Sequence, residues 1–181
     1  MTDQPAFSHE WSREIDTQPQ VGISACLRGE KVRYDGDHKF QPLIDEQLAP
    51  WLNFVTFCPE AAAELGVPRP PVRLIETDMG IQARGVENND LDVTQALSQT
   101  SDQFATHIAV NLAAYIVKSR SPSCGSGSTP LYNSDSILQG TTDGLFVRAL
   151  KAARPDLIIV DENWLNSPAR CQEFLQRCYN M

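Results

Sequence analysis

Three cysteines stand out by where they fall. Cys26 follows the apolar run Val21–Ala25, Cys58 follows Phe54–Phe57, and Cys124 lies in the loop beyond Leu112–Val117. Three thiols can hold a metal ion or an iron–sulfur cluster, can supply a nucleophile, or can be small buried hydrophobes with no chemistry. A cysteine nucleophile needs a general base, most often histidine, and the chain offers His9, His38 and His107. His9 sits in a polar N-terminal stretch and His107 inside an expected helix, while His38 would account for only one of the three cysteines. Structural zinc closes with four ligands, often from Cys-x-x-Cys pairs, and no such pair is present. A three-thiolate cluster fits the count better. Four cysteines are the usual complement, so three leave one iron open to substrate, which suits Lewis-acid chemistry. Cys171 and Cys178 are seven apart, on the helix face that carries Phe174 and Leu175, and read as core residues.

The cysteines need elements to bring them together. The run ending at Val117 is short and β-branched at its end, so it reads as a buried strand. The segment Lys118–Pro130 cannot extend it, because Pro122 lacks a backbone donor and Gly125 and Gly127 permit a tight loop. Parallel strands gather their C-terminal ends on one side of a sheet, where α/β proteins bind ligands. Three strand-like runs, each leading to a cysteine, therefore predict convergence of Cys26, Cys58 and Cys124. Pro59 suits the first turn of a helix running through Ala61–Leu65, which puts Cys58 at its N-cap. Further helices are expected at 42–52, from Asp92 onward, at 144–153 and at 168–179, with a hairpin pairing 72–76 with 80–84 and a buried strand at 157–160. The polar stretch 133–143 carries no expected element. The alternation predicts an α/β fold: a single Rossmann-like domain over 20–181, its mostly parallel sheet flanked by helices, behind a loosely held extension at 1–19.

The 181 residues suit one core, and no apolar run approaches the ~20 residues of a membrane span. The polar N-terminus lacks the pattern of an export signal, which predicts a cytoplasmic protein with reduced thiols. An odd number of cysteines, five, also argues against a disulfide framework. The net charge of −8 argues against a broad nucleic-acid footprint; Arg28, Lys31, Arg33, His38 and Lys39 make only a local basic patch. A small uncharged or anionic molecule is the expected partner.

The motifs Ser24-Ala25-Cys26-Leu27, Val32-Arg33-Tyr34-Asp35-Gly36, Cys58-Pro59-Glu60, Lys118-Ser119-Arg120-Ser121-Pro122-Ser123-Cys124-Gly125 and Asp143-Gly144-Leu145-Phe146, in that order, resemble those of the thiouracil desulfidase (TudS) family. The resemblance runs from about Gln20 to the C-terminus. It implies an oxygen-sensitive [4Fe-4S] cluster held by Cys26, Cys58 and Cys124 with one open iron. It also implies hydrolysis of a thiolated pyrimidine, 2-thiouracil, to uracil with release of hydrogen sulfide, and catalytic roles for Glu60 and Ser121. The chemistry is coherent: a thiocarbonyl sulfur is a soft ligand for iron, Glu60 can accept a proton from water, and the Ser121 hydroxyl can orient water or substrate. Backbone amides of Gly125 to Gly127 are expected to face the cluster sulfurs, with Arg28, Asp35 and Arg120 surrounding the site. Desulfuration of a thiouridine or another thio-heterocycle is the neighbouring reading. A non-catalytic iron–sulfur sensor is the alternative from another class.

Overall fold

The computed structural model describes residues 18–180. In chain order its first elements are β1 (Gln20–Ser24), α1 (Pro42–Leu48), β2 (Asn53–Phe57), α2 (Pro59–Ala62), β3 (Val72–Thr77) and β4 (Gly80–Gly85). There follow α3 (Thr94–His107), β5 (Ala114–Val117), β6 (Thr129–Tyr132), β7 (Leu138–Thr142), α4 (Leu145–Ala153), β8 (Ile158–Asp161) and α5 (Pro168–Tyr179). Of the expected N-terminal extension, residues 1–17 lie outside the described residues. The Pro19 carbonyl accepts a 3.0 Å bond from the Asn53 amide.

Strands β2, β1, β5 and β8 form, in that spatial order, an all-parallel sheet. Their continuous apolar sequences follow from burial on both faces. Alternation along β1 and β5 sends Val21, Ile23, Ala114 and Ile116 to a core shared with α1 and α5, where Ile44, Leu48, Phe174 and Leu175 pack. Cys171 and Cys178 are buried in that core, as expected. Tyr115 and Val117 point to the opposite core, against Phe104 of α3 and Phe146 of α4. There the three aromatic rings meet edge to face at centroid distances of 5.2–5.9 Å.

The rest of the fold departs from a single, mostly parallel sheet. A second four-stranded sheet runs β4-β3-β6-β7 and is mixed: β3–β4 and β6–β7 are antiparallel, while β3 and β6 pair in parallel through Leu74↔Leu131 and Ile75↔Tyr132. The β3–β4 hairpin is the expected one. The β6–β7 hairpin falls where the sequence carries no apolar alternation, because β7 is an exposed edge strand. Its turn is held by the Asn133 side chain, which accepts bonds from the Asp135 and Ile137 amides. Helices α1 and α2 are also shorter than expected; after α2 the chain turns through Glu64 at φ 59°. Among the described residues no helix is long and apolar enough to cross a membrane.

Candidate active site

From β1 the chain moves to one side to form β2 and returns to the other side to form β5. Such a reversal opens a crevice at the C-terminal ends of the strands, and the three cysteines occupy those ends. Cys26 lies in the short 3₁₀ turn Ala25–Arg28 after β1, Cys58 is the N-cap of α2, and Cys124 sits in the loop after β5. All three line one cleft of about 690 Å³, together with Glu60, Arg69, Lys118 and Ser121. The predicted convergence is present.

The loop around Cys124 is held by its own polar groups. The Ser121 hydroxyl oxygen accepts bonds from the Ser123 and Cys124 amides at 3.2 and 3.1 Å, which leaves its O–H free to donate. The Ser121 carbonyl accepts from the Gly125 amide at 2.9 Å and the Thr129 hydroxyl at 2.6 Å. A side chain at Gly125 would stand 2.1 Å from the Thr129 hydroxyl, so only glycine closes this loop. The Gly127 amide donates to Asp143 at 2.7 Å. The amides of Gly125 and Gly127 are thus taken by protein acceptors and do not face a cluster, contrary to expectation.

Helix α4 secures the same loop from behind. The amides of Gly144, Leu145 and Phe146 donate to the carbonyls of Gly125, Pro122 and Ser123 at 2.7, 3.1 and 3.0 Å. A Cβ on Gly144 would lie 2.3 Å from the Ser123 carbonyl oxygen. The Asp143-Gly144-Leu145-Phe146 motif therefore acts on the cysteine loop through backbone contact.

Glu60 is buried at the wall of the cleft. The Ser123 hydroxyl donates to its Oε1 at 2.8 Å. Arg69 donates to Oε2 through Nε at 2.9 Å and approaches the same oxygen with Nη2 at 2.7 Å. The remaining guanidinium nitrogen, Nη1, donates to the Val32 and Gly66 carbonyls, each at 2.9 Å. A second ion pair closes the floor. Lys118 Nζ lies 2.5 Å from Glu162, whose carboxylate also accepts from the Ser119 amide and hydroxyl, both at 2.7 Å. Burial opposes ionisation of Glu162, but the bonds from Lys118 and Ser119 outweigh it and hold the carboxyl below its usual range.

Arg69 and Glu162 escape a reading of the sequence. Arg69 stands before two prolines and reads as punctuation, and Glu162 ends a strand far from any motif. Of the residues expected around the site, Arg120 lines the cleft. Arg28 turns instead to Asp45 and the face of Phe54, and the half-exposed Asp35 pairs with Arg33. His38 accepts a bond from the Phe40 amide and is not part of the cleft lining; His107 is exposed at the end of α3; His9 lies outside the described residues.

The thiols themselves discriminate among the readings. Burial first, then the neighbouring Cys58, pushes Cys26 up to about 11; burial likewise raises Cys58 and lifts Cys124 well above its ordinary value. Thiols so disposed are poor nucleophiles. An iron centre, by contrast, takes them as thiolates and offsets the charge that burial resists. Among the described residues no three His, Cys, Asp or Glu side chains stand close enough to share a single metal ion. The cleft lining includes three cysteines, and thiolates are the ligands that iron–sulfur clusters take.

The sequence profile described as 2-thiouracil desulfurase matches residues 21–162. The chain belongs to that family. The matched part of the chain runs from β1 to Glu162 and takes in Cys26, Cys58, Glu60, Ser121 and Cys124. Two known proteins resemble the chain. Uncharacterized protein YbbK of Bacillus subtilis (strain 168) is 32% identical over 154 residues, spanning 80% of this chain and 96% of the relative. The solved structure of the [4Fe-4S]-dependent thiouracil desulfidase TudS superposes with a TM-score of 0.65 at 27% identity, covering 87% of this chain and 99% of that one. The chain is thus a member of the thiouracil desulfidase family of enzymes, as the motifs imply.

Proposed function

We propose that this chain carries a [4Fe-4S] cluster on Cys26, Cys58 and Cys124 and hydrolyses 2-thiouracil, a thiolated pyrimidine base, to uracil and hydrogen sulfide. The observation that carries this reading is the meeting of three thiols, Cys26 and Cys124 buried and Cys58 half-buried, with a buried carboxylate, Glu60, in one cleft at the switch point of the parallel sheet. With three protein ligands, the cluster supplies an open iron that acts as a soft Lewis acid toward the thiocarbonyl sulfur.

The remaining work falls to the chain. Glu60 takes the proton of a water molecule as a C–O bond forms at C2 of the ring. The Ser121 hydroxyl, its oxygen fixed by two backbone amides, donates to that water or to the ring. The C=S π pair moves onto sulfur as the C–O bond forms; the C–S bond then breaks with its pair on sulfur, which takes one proton back from Glu60 and the other from the new hydroxyl as that becomes the carbonyl. Water in and hydrogen sulfide out balance the reaction with no net transfer of electrons.

The test is anaerobic reconstitution with iron and sulfide, then addition of 2-thiouracil, followed by ultraviolet absorbance and sulfide release. Cluster-dependent formation of uracil is the expected result. A full cluster without turnover moves the substrate to another thiolated compound or makes the protein a sensor. Failure to assemble any cluster overturns the assignment.

A further inference from the structure

A carboxylate that serves as a base must hold one oxygen on the attacking water, and a free glutamate side chain has several rotamers among which to lose it. Glu60 is fixed at both oxygens, and by groups from different parts of the chain. Its own backbone belongs to the turn after β2. Ser123, which donates to Oε1, belongs to the loop after β5. Arg69, on Oε2, also binds the Val32 carbonyl through Nη1, and its amide donates to the Tyr34 carbonyl at 2.9 Å, so it reaches the segment after β1.

The geometry points to Arg69 and Ser123 as positioning residues that register Glu60 against all three cysteine-bearing segments and select Oε1 as the atom that takes the proton. The selection follows from counting lone pairs. Each carboxylate oxygen has about two acceptor sites. Oε2 accepts the Nε hydrogen bond at 2.9 Å and lies 2.7 Å from Nη2 in the ion pair, so the guanidinium edge occupies its free side. Oε1 receives only the Ser123 hydroxyl and keeps one site for water. Arg69 is itself buried, its side chain 5% exposed, and Ser123 is 1% exposed, so solvent does not compete for these bonds. All three nitrogens of the guanidinium are engaged, a fork that a lysine ammonium cannot reproduce. This inference rests on the role proposed for Glu60.

The test is a double-mutant cycle on the reconstituted enzyme, reading kcat, KM and iron content. Glu60→Gln should lower kcat by ~10²–10⁴-fold. Arg69→Met should lower it by ~10²-fold, as a base misplaced by about an ångström would, and Arg69→Lys should recover little of that loss. Ser123→Ala should cost about tenfold, the weight of one hydrogen bond to a charged group. Each should leave iron content whole and KM nearly unchanged. In the Glu60→Gln background, Arg69→Met and Ser123→Ala should each add less than about twofold, because they act through the missing carboxylate.

Losses that multiply in that background overturn the inference, and so does loss of iron, which would mean that these residues hold the cysteines instead of the base. Ser123→Ala removes one hydroxyl and carries the test alone should Arg69→Met fail to fold. An inactive Glu60→Gln beside fully active Arg69→Met and Ser123→Ala sinks the positioning role and spares the base. A fully active Glu60→Gln sinks the base, and the positioning role with it.

Discussion

The contact between Gly144 and the Ser123 carbonyl gives the sharpest test of how the cysteine loop is held. Gly144 has φ −65° and ψ 159°, a conformation open to any residue, so Gly144→Ala adds no backbone strain. The new methyl would instead stand 2.3 Å from the Ser123 oxygen, 2.4 Å from its carbonyl carbon and 2.9 Å from the Pro122 oxygen. All three are backbone atoms and cannot swing aside. Restoring an ordinary contact of about 3.5 Å requires helix and loop to part by roughly 1 Å, which stretches the three amide bonds from Gly144, Leu145 and Phe146 and shifts Cys124. Overpacking of this kind costs about 1–3 kcal/mol, and a domain of this size loses about 2–4 °C in Tm per kcal/mol. The expected melting temperature of the protein without iron is therefore about 2–12 °C lower. After reconstitution, iron content should fall short of the parent, and kcat per bound cluster should drop by ~10²-fold, since displacement by an ångström has that effect. Thermal denaturation, iron analysis and turnover separate the three readouts. Gly144→Ala with the parental Tm and full iron would refute the claim that α4 positions Cys124.

Other substitutions test other parts of the site. Replacing Cys26, Cys58 or Cys124 by serine should abolish the visible absorbance of the reconstituted cluster; any one that keeps it is not a ligand. Cys171→Ala and Cys178→Ala should retain full iron and turnover while lowering the unfolding free energy by about 1 kcal/mol, the usual cost of a point change; iron loss in either would contradict their place in the core. Glu162→Gln removes the charge that Lys118 and Ser119 bond and should cost about 1.5–3 kcal/mol at neutral pH, the weight of a hydrogen bond to a charged group. Because the folded carboxyl titrates below its ordinary 4.5, that contribution is complete above about pH 4.5 and fades as pH falls through the folded value. Parent and variant should therefore converge in acid, and a gap that stayed constant with pH would show that the ion pair is not its source.

Much of the cysteine-bearing half of the molecule is legible in the sequence because buried parallel strands are written as uninterrupted apolar runs. That is why β1, β2 and β5 can be read with the cysteines beyond their ends, and why α5, with its proline at the first position and its apolar face, has the expected limits. The β6–β7 hairpin was not legible, since an edge strand with both faces wet leaves no periodicity. Arg69 and Glu162 were hidden for a different reason. A charged residue declares its role only through its partners, and theirs lie in other segments: Val32 for Arg69, Lys118 and Ser119 for Glu162. Of the residues expected around the site, Arg28 faces Asp45, while Asp35 pairs with Arg33, which itself lines the cleft, and so stands one residue removed from it. The glycine amides misled because the sequence announces a tight loop without naming its acceptors.

The cleft has two origins. Its floor of thiols belongs to the parallel sheet. The facing wall, with Val72, Arg73 and Leu74 from β3 and Pro130 and Tyr132 from β6, belongs to a sheet assembled from two hairpins inserted into separate crossovers. Those hairpins pair along a short parallel seam, Leu74↔Leu131 and Ile75↔Tyr132, with Arg73 reaching across it to Ser136 and the Tyr132 ring. Substitutions and insertions in the hairpins can remodel this wall of the cleft while the strand ends beneath stay where they are. Such a division lets selection try new heterocycles on an unchanged chemical floor, and it makes the seam between β3 and β6 the place to begin when retuning which sulfur compound this scaffold accepts.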